Sequence, residues 1–248
     1  MEDFISIRKL YKRLGSQEVL KGVDLDIHAG ETLVVIGRSG GGKSVLLKHI
    51  IGLMKPTSGQ VLVEGQDIVA LSERELSGIR KKVAILFQSG ALFDSMSVEN
   101  NIAFPLIEHG IKDQATLDKK VAEALEVVDL AGEQKKMPEN LSGGMRKRVG
   151  LARAIVSNPA CILYDEPTTG LDPIVADSIN HLIRRLQKRF QVTSIVVTHD
   201  MKSAFHVADQ IAYLYEGRIY FKGTVKELQA SGDPIIKDFI EGRSGDTD

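Results

Sequence analysis

Residues 37–44, GRSGGGKS, fit the pattern G-x-x-x-x-G-K-[ST] directly after an apolar run and directly before a helical one. Its glycines Gly37, Gly40, Gly41 and Gly42 let successive backbone N–H groups converge on phosphate oxygens, with the positive end of the following helix behind them. Arg38, Ser39 and Val45 complete the phosphate-binding stretch; Lys43 would reach the β- and γ-phosphates and the Ser44 hydroxyl can ligate magnesium. Two adjacent carboxylates, Asp165 and Glu166, close the apolar run CILYDE. At the C-terminal end of a strand, Asp165 would hold magnesium and Glu166 would orient or deprotonate an attacking water. Gln88 closes the run VAILFQ and can contact the metal or the water, while His199, in VVTHD, comes within reach of a γ-phosphate over the same sheet edge. Taken singly, these residues also read as a structural glycine turn, a solvated acidic pair, a polar strand end and a satisfied loop histidine. His28, His49, His109, His181 and His206 are read in that last way.

A second anion-seeking turn lies about a hundred residues on, in LSGGMRKRVGLARA (141–154). Ser142, Gly143 and Gly144 precede a helix rich in Arg146, Lys147 and Arg148, so that N–H groups, a hydroxyl and a helix dipole again aim at an anion. LSGG alone also reads as a helix cap followed by a solvated basic face, a reading that the other four motifs make implausible. Placed in a helical insertion away from the sheet edge, the turn reaches the nucleotide of a second copy more easily than its own, which predicts a two-fold head-to-tail dimer burying two ATP molecules. Tyr11, just before a turn at Gly15, either stacks on adenine or is an ordinary edge-strand tyrosine.

These side chains need a sheet to carry them. Runs at TLVVIG (32–37), VLVEG (61–65), VAILFQ (83–88), CILYDE (161–166) and TSIVVTHD (193–200) are apolar enough for strands buried on both faces. Helices are expected over residues 43–53 and along ADSINHLIRRLQKR, and strand, phosphate turn and helix together begin a doubly wound parallel sheet. Residues 97–156 are helical in period, in DQATLDKKVAEALEVVDL and RKRVGLARAIV, and read as an insertion. QIAYLYEGRIYFKG folds as a hairpin around Glu216 and Gly217, and the terminal GRSGDTD should fray.

The 248 residues suffice for one large α/β domain, and 32 basic against 33 acidic residues leave a net charge of -1, which gives no pull toward nucleic acid. The single cysteine, Cys161, excludes a disulfide framework within the chain and fits a reducing cytosol. The first residues lack a signal-type apolar segment, and no apolar stretch approaches the roughly 18–20 residues that span a bilayer. Any membrane work needs another chain to span.

Tyr11, GRSGGGKS, Gln88, LSGGM, CILYDE, the TGLD segment (169–172) and His199, in that order across nearly the whole chain, together resemble the nucleotide-binding domain of ATP-binding cassette (ABC) transporters. The resemblance implies an ATPase using ATP and Mg2+, on a P-loop NTPase (RecA-like) fold. That fold has a mostly parallel α/β sheet core, an N-terminal antiparallel β part and an inserted α-helical subdomain. The implied division is 1–88 with 157–223 as the nucleotide-binding core, 89–156 as the helical signature part and 224–248 as a C-terminal helix and tail. It casts Tyr11 as adenine stacker, Ser142, Gly143 and Gly144 as a signature acting in trans, Asp172 as the link between two sites, and Glu166 with His199 as the hydrolytic pair. Met145 stands where the family usually has glutamine. LSGGMRKRVGLARA, FQSGALFDSMSVENNIAFPL and YDEPTTGLDPI further resemble ATPases of bacterial lipid transport systems that work with mammalian-cell-entry (MCE) proteins, the Mla type. The implied partners are a second copy, an integral membrane permease and an MCE-domain substrate-binding protein, with the chain peripheral on the cytoplasmic face of the inner membrane. Phe93, Met96, Ile102, Phe104, Pro105 and Leu106 would form the groove for a permease helix, a minority of them touching it. The alternatives are a polar-solute importer, a cell-division type cassette, and a P-loop kinase or GTP switch; this last would not need LSGG, and the N-K-x-D base reader usual for GTP is absent.

Overall fold

The computed structural model describes residues 3–243; the last five residues of the GRSGDTD tail, for which fraying is expected, lie outside the described residues. The chain divides into two compact units, Met1–Ser72 with Ile195–Asp248, and Glu73–Ser194.

The first unit opens with two long strands, β1 (Asp3–Leu14) and β2 (Gln17–His28), followed by β3 (Thr32–Ile36), α1 (Lys43–Ile50), β4 (Ser58–Val63) and β5 (Gln66–Asp67). β1 pairs antiparallel with both β2 and β4, in the order β2-β1-β4-β5. Ile5 and Ile7 on β1 and Val23, Leu25 and Ile27 on β2 are buried at alternate positions, the mark of a sheet packed on one face. VLVEG belongs to this sheet. Val61 and Val63 are buried and Leu62 between them is only half-buried, so the expected strand with two buried faces is not found. Three apolar residues in a row do not separate the two cases, because the open face of an antiparallel sheet tolerates a leucine. TLVVI behaves as expected: all five residues are buried.

The second unit runs through α2 (Glu73–Lys82), β6 (Val83–Leu86), α3 (Val98–Glu108), α4 (Gln114–Val127), a 3-10 turn (Pro138–Asn140), α5 (Gly143–Ile155), β7 (Cys161–Asp165) and α6 (Pro173–Phe190) to the first two residues of β8 (Thr193–Thr198). β6 and β7 pair in parallel, Val83 opposite Cys161 and Leu86 opposite Tyr164. β6 is shorter than its apolar run suggests and half-exposed at Ala84 and Ile85, so Gln88 sits in a turn rather than at the strand end. α6 buries Ile179, Leu182, Ile183 and Leu186, one stripe at helical spacing, and α4 buries Leu117, Val121, Ala124 and Leu125 in the same way. Residues 97–156 contain helices and no strand among the described residues, as their period predicts.

The chain returns to the first unit through the rest of β8, then α7 (Met201–Val207), β9 (Gln210–Tyr215), β10 (Arg218–Gly223), α8 (Val225–Gln229) and α9 (Pro234–Glu241). Here the strand order is β10-β9-β3-β8, with β3 and β9 parallel and β9 and β10 antiparallel. Glu216 and Gly217, at φ 48° and 80°, form the predicted hairpin turn. The result is the α/β fold expected from the sequence, with parallel pairs at the core and antiparallel strands at the N-terminus.

Candidate functional site

In the first unit, β3 delivers the chain into the turn GRSGGG, and α1 starts at Lys43. Gly42, the N-cap of α1, has φ 98°, which side-chain-bearing residues rarely adopt, and as glycine it offers no acceptor to the first-turn N–H groups. Lys43 is buried, and its Nζ donates to the carbonyls of Gly37 (2.9 Å) and Arg38 (3.1 Å), bracing the turn from inside. Arg38, Ser39 and Gly40 are exposed; Gly41, Ser44 and Val45 are half-buried. A positive helix end fronted by a glycine turn and a buried ammonium suits a phosphate chain.

Tyr11, on β1, is 39% exposed and its ring lies over Gly22 of β2, where an added Cβ would come within 2.7 Å of the tyrosine oxygen. His199 is exposed immediately after β8, one residue before Asp200, whose Oδ1 caps α7 by accepting from Lys202 N at 3.0 Å. Of the other histidines only His109, in the turn after α3, is a loop residue as expected: His28 ends β2, His49 is buried within α1, and His181 and His206 lie in α6 and α7. Burial moves the His49 pKa down, against the raising effect of the Val45 carbonyl 2.7 Å away.

In the second unit, β7 places Asp165 at its last position and Glu166 one step beyond it, buried and at φ 48°. A left-handed backbone at a non-glycine residue costs on the order of 1 kcal/mol or more and persists only where its surroundings fix it. Thr169 does so twice, through its N–H to the Glu166 carbonyl (3.3 Å) and its hydroxyl to Glu166 Oε2 (3.0 Å). The third support is Lys147, whose Nζ donates to the carbonyls of Glu166 (3.2 Å) and Gln88. The Gln88 side chain is exposed.

Lys147 does not belong to a solvated basic face. It is 4% exposed, and Arg148 turns inward to the Val128 carbonyl (2.6 Å), Asp129 Oδ2 (2.8 Å) and Ser178 Oγ (2.5 Å), leaving Arg146 as the exposed member of the trio. Burial lowers the Lys147 pKa, while Asp165 and Glu166 pull it the other way. The signal was present in the sequence: positions 144, 147, 151 and 154 share one helical stripe, and Gly144, Leu151 and Ala154 are buried with Lys147.

At the start of α5, the Ser142 hydroxyl accepts from Met145 N at 3.2 Å, so the bond uses the backbone of Met145 and not its side chain. Ser142 and Gly143 are exposed, whereas Gly144 presses on α6 so closely that a Cβ would lie 2.5 Å from Val175 Cγ1. Asp172 caps α6, its Oδ1 accepting from Ile174 N and Val175 N at 3.0 Å each. The LSGG and TGLD segments are thereby packed against each other. In the apolar patch, Ile102 and Leu106 are core, Met96, Phe104 and Pro105 are half-buried, and Phe93 is exposed with its ring 4.9 Å from that of Phe104. Asn101 pins the segment, donating to the carbonyls of Phe93, Met96 and Ser97 and accepting from Phe93 N.

A glycine turn with an inward lysine between a buried parallel strand and a helix, in an α/β chain, defines a P-loop nucleotide-binding protein. The chain belongs to the ABC transporter family, whose sequence profile matches residues 20–169. It is 43% identical over 239 residues to the probable ribonucleotide transport ATP-binding protein mkl of Mycobacterium leprae, covering 96% of this chain and 69% of that one. It is 39% identical over 243 residues to the intermembrane phospholipid transport system ATP-binding protein MlaF of Haemophilus influenzae, covering 98% and 92%. Its fold matches a dimeric ATP-binding cassette solved in a post-hydrolysis state with ADP and Pi, at a TM-score of 0.82 and 32% identity over 89% of this chain and 98% of the other. The protein is an ATP-binding, ATP-hydrolysing subunit of an ABC transporter. No helix among the described residues is long and apolar enough to cross a membrane.

Proposed function

We propose that this ATPase powers phospholipid movement between bacterial membranes, as a head-to-tail homodimer on the cytoplasmic face of the inner membrane, with an integral permease and an MCE-domain substrate-binding protein. The cargo rests on the likeness to MlaF, which extends over 92% of that protein. The dimer rests on the likeness to a dimeric cassette and on one observation within this chain: the α5 turn exposes Ser142 and Gly143 at a helix start that carries no lysine of its own. Such a turn can add to an anion already held elsewhere but is poorly equipped to hold one alone.

The roles follow the residues. From the first unit, residues 37–45 wrap the phosphates, Lys43 exchanges its carbonyl partners for β- and γ-phosphate oxygens, Tyr11 offers a ring face to the adenine, and His199 contacts the γ-phosphate. From the second unit, Glu166 orients the attacking water, Gln88 senses the site, Ser142, Gly143 and Gly144 complete the other copy's pocket, and Asp172 joins the two sites. Ser44, Gln88 and Asp165 offer only oxygen donors, hydroxyl, amide and carboxylate, which suits a hard cation such as Mg2+. Magnesium supplies charge neutralisation on the phosphates; positioning by the protein does the rest. Residues 1–88 with 157–223 form the nucleotide core, 89–156 the signature part and 224–248 the C-terminal helix and tail. Phe93 is the member of the apolar patch best placed for a permease helix.

Glu166→Gln tests the chemistry: turnover should fall at least about a hundredfold, roughly 2.7 kcal/mol of barrier, with ATP binding kept and a dimer trapped by ATP. Near-normal turnover rejects Glu166 as the water-orienting residue. The name of the mkl relative favours a second reading, transport of a polar solute. Purifying the membrane complex from its own cells separates the two, since an MCE-domain protein with bound phospholipid supports lipid, and a small soluble binding protein supports the polar solute.

A further inference from the structure

α5 holds the turn that carries Gln88 at three backbone carbonyls. Arg153 donates to Gly90 O (2.9 Å) and Ala91 O (2.8 Å), and Lys147 donates to Gln88 O. Lys147 alone also reaches a second segment, the Glu166 carbonyl. A lysine on an otherwise apolar stripe, 4% exposed, gives up most of its hydration, and a leucine or methionine would fill the same space without that loss. What the ammonium adds is a double donor between two loops, one of them forced into a left-handed turn at Glu166.

We propose that Lys147 is a positioning residue for hydrolysis: it ties the Gln88 carbonyl to the Glu166 carbonyl and fixes the strained backbone from which the Glu166 carboxylate is aimed. Lys147 sits one turn inside the helix whose start bears Ser142 and Gly143, and a helix moves as a unit. An anion drawn onto that start therefore loads the same lysine that braces Glu166. The proposal rests on Glu166 as the water-orienting residue, and the experiment separates the two.

Lys147→Met, Lys147→Arg and Glu166→Gln are compared in the purified protein with MgATP, measuring kcat, KM, affinity for a non-hydrolysable ATP analogue and thermal unfolding. For Lys147→Met, kcat should drop at least about tenfold while KM and analogue affinity stay within about threefold of the parent, and Lys147→Arg, keeping charge and donors, should recover most of the loss. A Lys147→Met protein with kcat within about twofold of the parent overturns the proposal, as does a parallel fall in kcat, analogue affinity and melting temperature, the signature of a merely structural lysine. If Lys147→Met does not fold, Lys147→Gln, shorter and uncharged, is read by the same criteria. Loss of turnover in Glu166→Gln without loss in Lys147→Met removes the role of Lys147 and leaves that of Glu166; normal turnover in Glu166→Gln removes the latter on its own account.

Discussion

The starts of α1 and α5 share a glycine-rich turn and a helix N-terminus, and they differ in the cap and in where a lysine stands. At α1 the N-cap is Gly42, which supplies no acceptor, and Lys43 stands at the first helical position with its ammonium turned into the loop. At α5 the N-cap is Ser142, whose hydroxyl accepts from Met145 N, and the nearest lysine, Lys147, is one turn further on and faces the core. The first start has no side-chain cap; the second caps one of its N–H groups itself. A serine in that position accepts from the backbone and still has its own proton to donate. That combination suits a turn that must stay ordered without nucleotide and then add one more contact when another copy brings it. On the proposed roles, the difference between an anion site that must hold alone and one that only completes a pocket lies in the cap residue.

Breaking the α1 side should have the larger effect. Lys43→Met removes the charge proposed to face the phosphates, and ATP affinity should fall about a hundredfold, the worth of a buried charge-assisted contact, by titration calorimetry. Ser142→Asp breaks the α5 side more selectively. Aspartate caps helices as well as serine does and favours the positive helix end, so the melting temperature should hold or rise slightly. A carboxylate has no proton to donate and repels a phosphate, so turnover should fall at least about tenfold while ATP binding to the free chain is unchanged. Parental turnover in this variant would reduce LSGG to a helix cap.

The two starts were also unequally legible from the sequence. GRSGGGKS could be read because everything that gives it meaning, the strand before, the glycines and the helix after, is contiguous in the chain. LSGG showed its cap and its exposed turn, but the burial of its lysine was not legible, since the inward stripe through positions 144, 147, 151 and 154 is masked by the neighbouring arginines at 146 and 148. The long strands β1 and β2 were invisible residue by residue: one face is charged, and Lys9, at φ 45°, marks an irregularity that shifts the register between Ile7 and Leu10 and interrupts the period. Asp172 was read for its role between two sites; the structure also has it cap α6.

The smallest effect is the most discriminating. Ser142→Ala deletes the cap and the donated proton together, while Gly143 and Gly144 keep their N–H groups and Gly144 keeps its close seat against Val175. Loss of the cap costs about 1 kcal/mol, a fall of roughly 2–4 °C in melting temperature for a chain of this size. Turnover should fall less than in Ser142→Asp, because a neutral gap forfeits one contact where a carboxylate also repels. Were Ser142→Ala to lose as much turnover as Ser142→Asp, the hydroxyl proton and not the charge at the turn would govern the second site. Were it to lose stability alone, α5 would be a helix that happens to begin like α1 and shares none of its work.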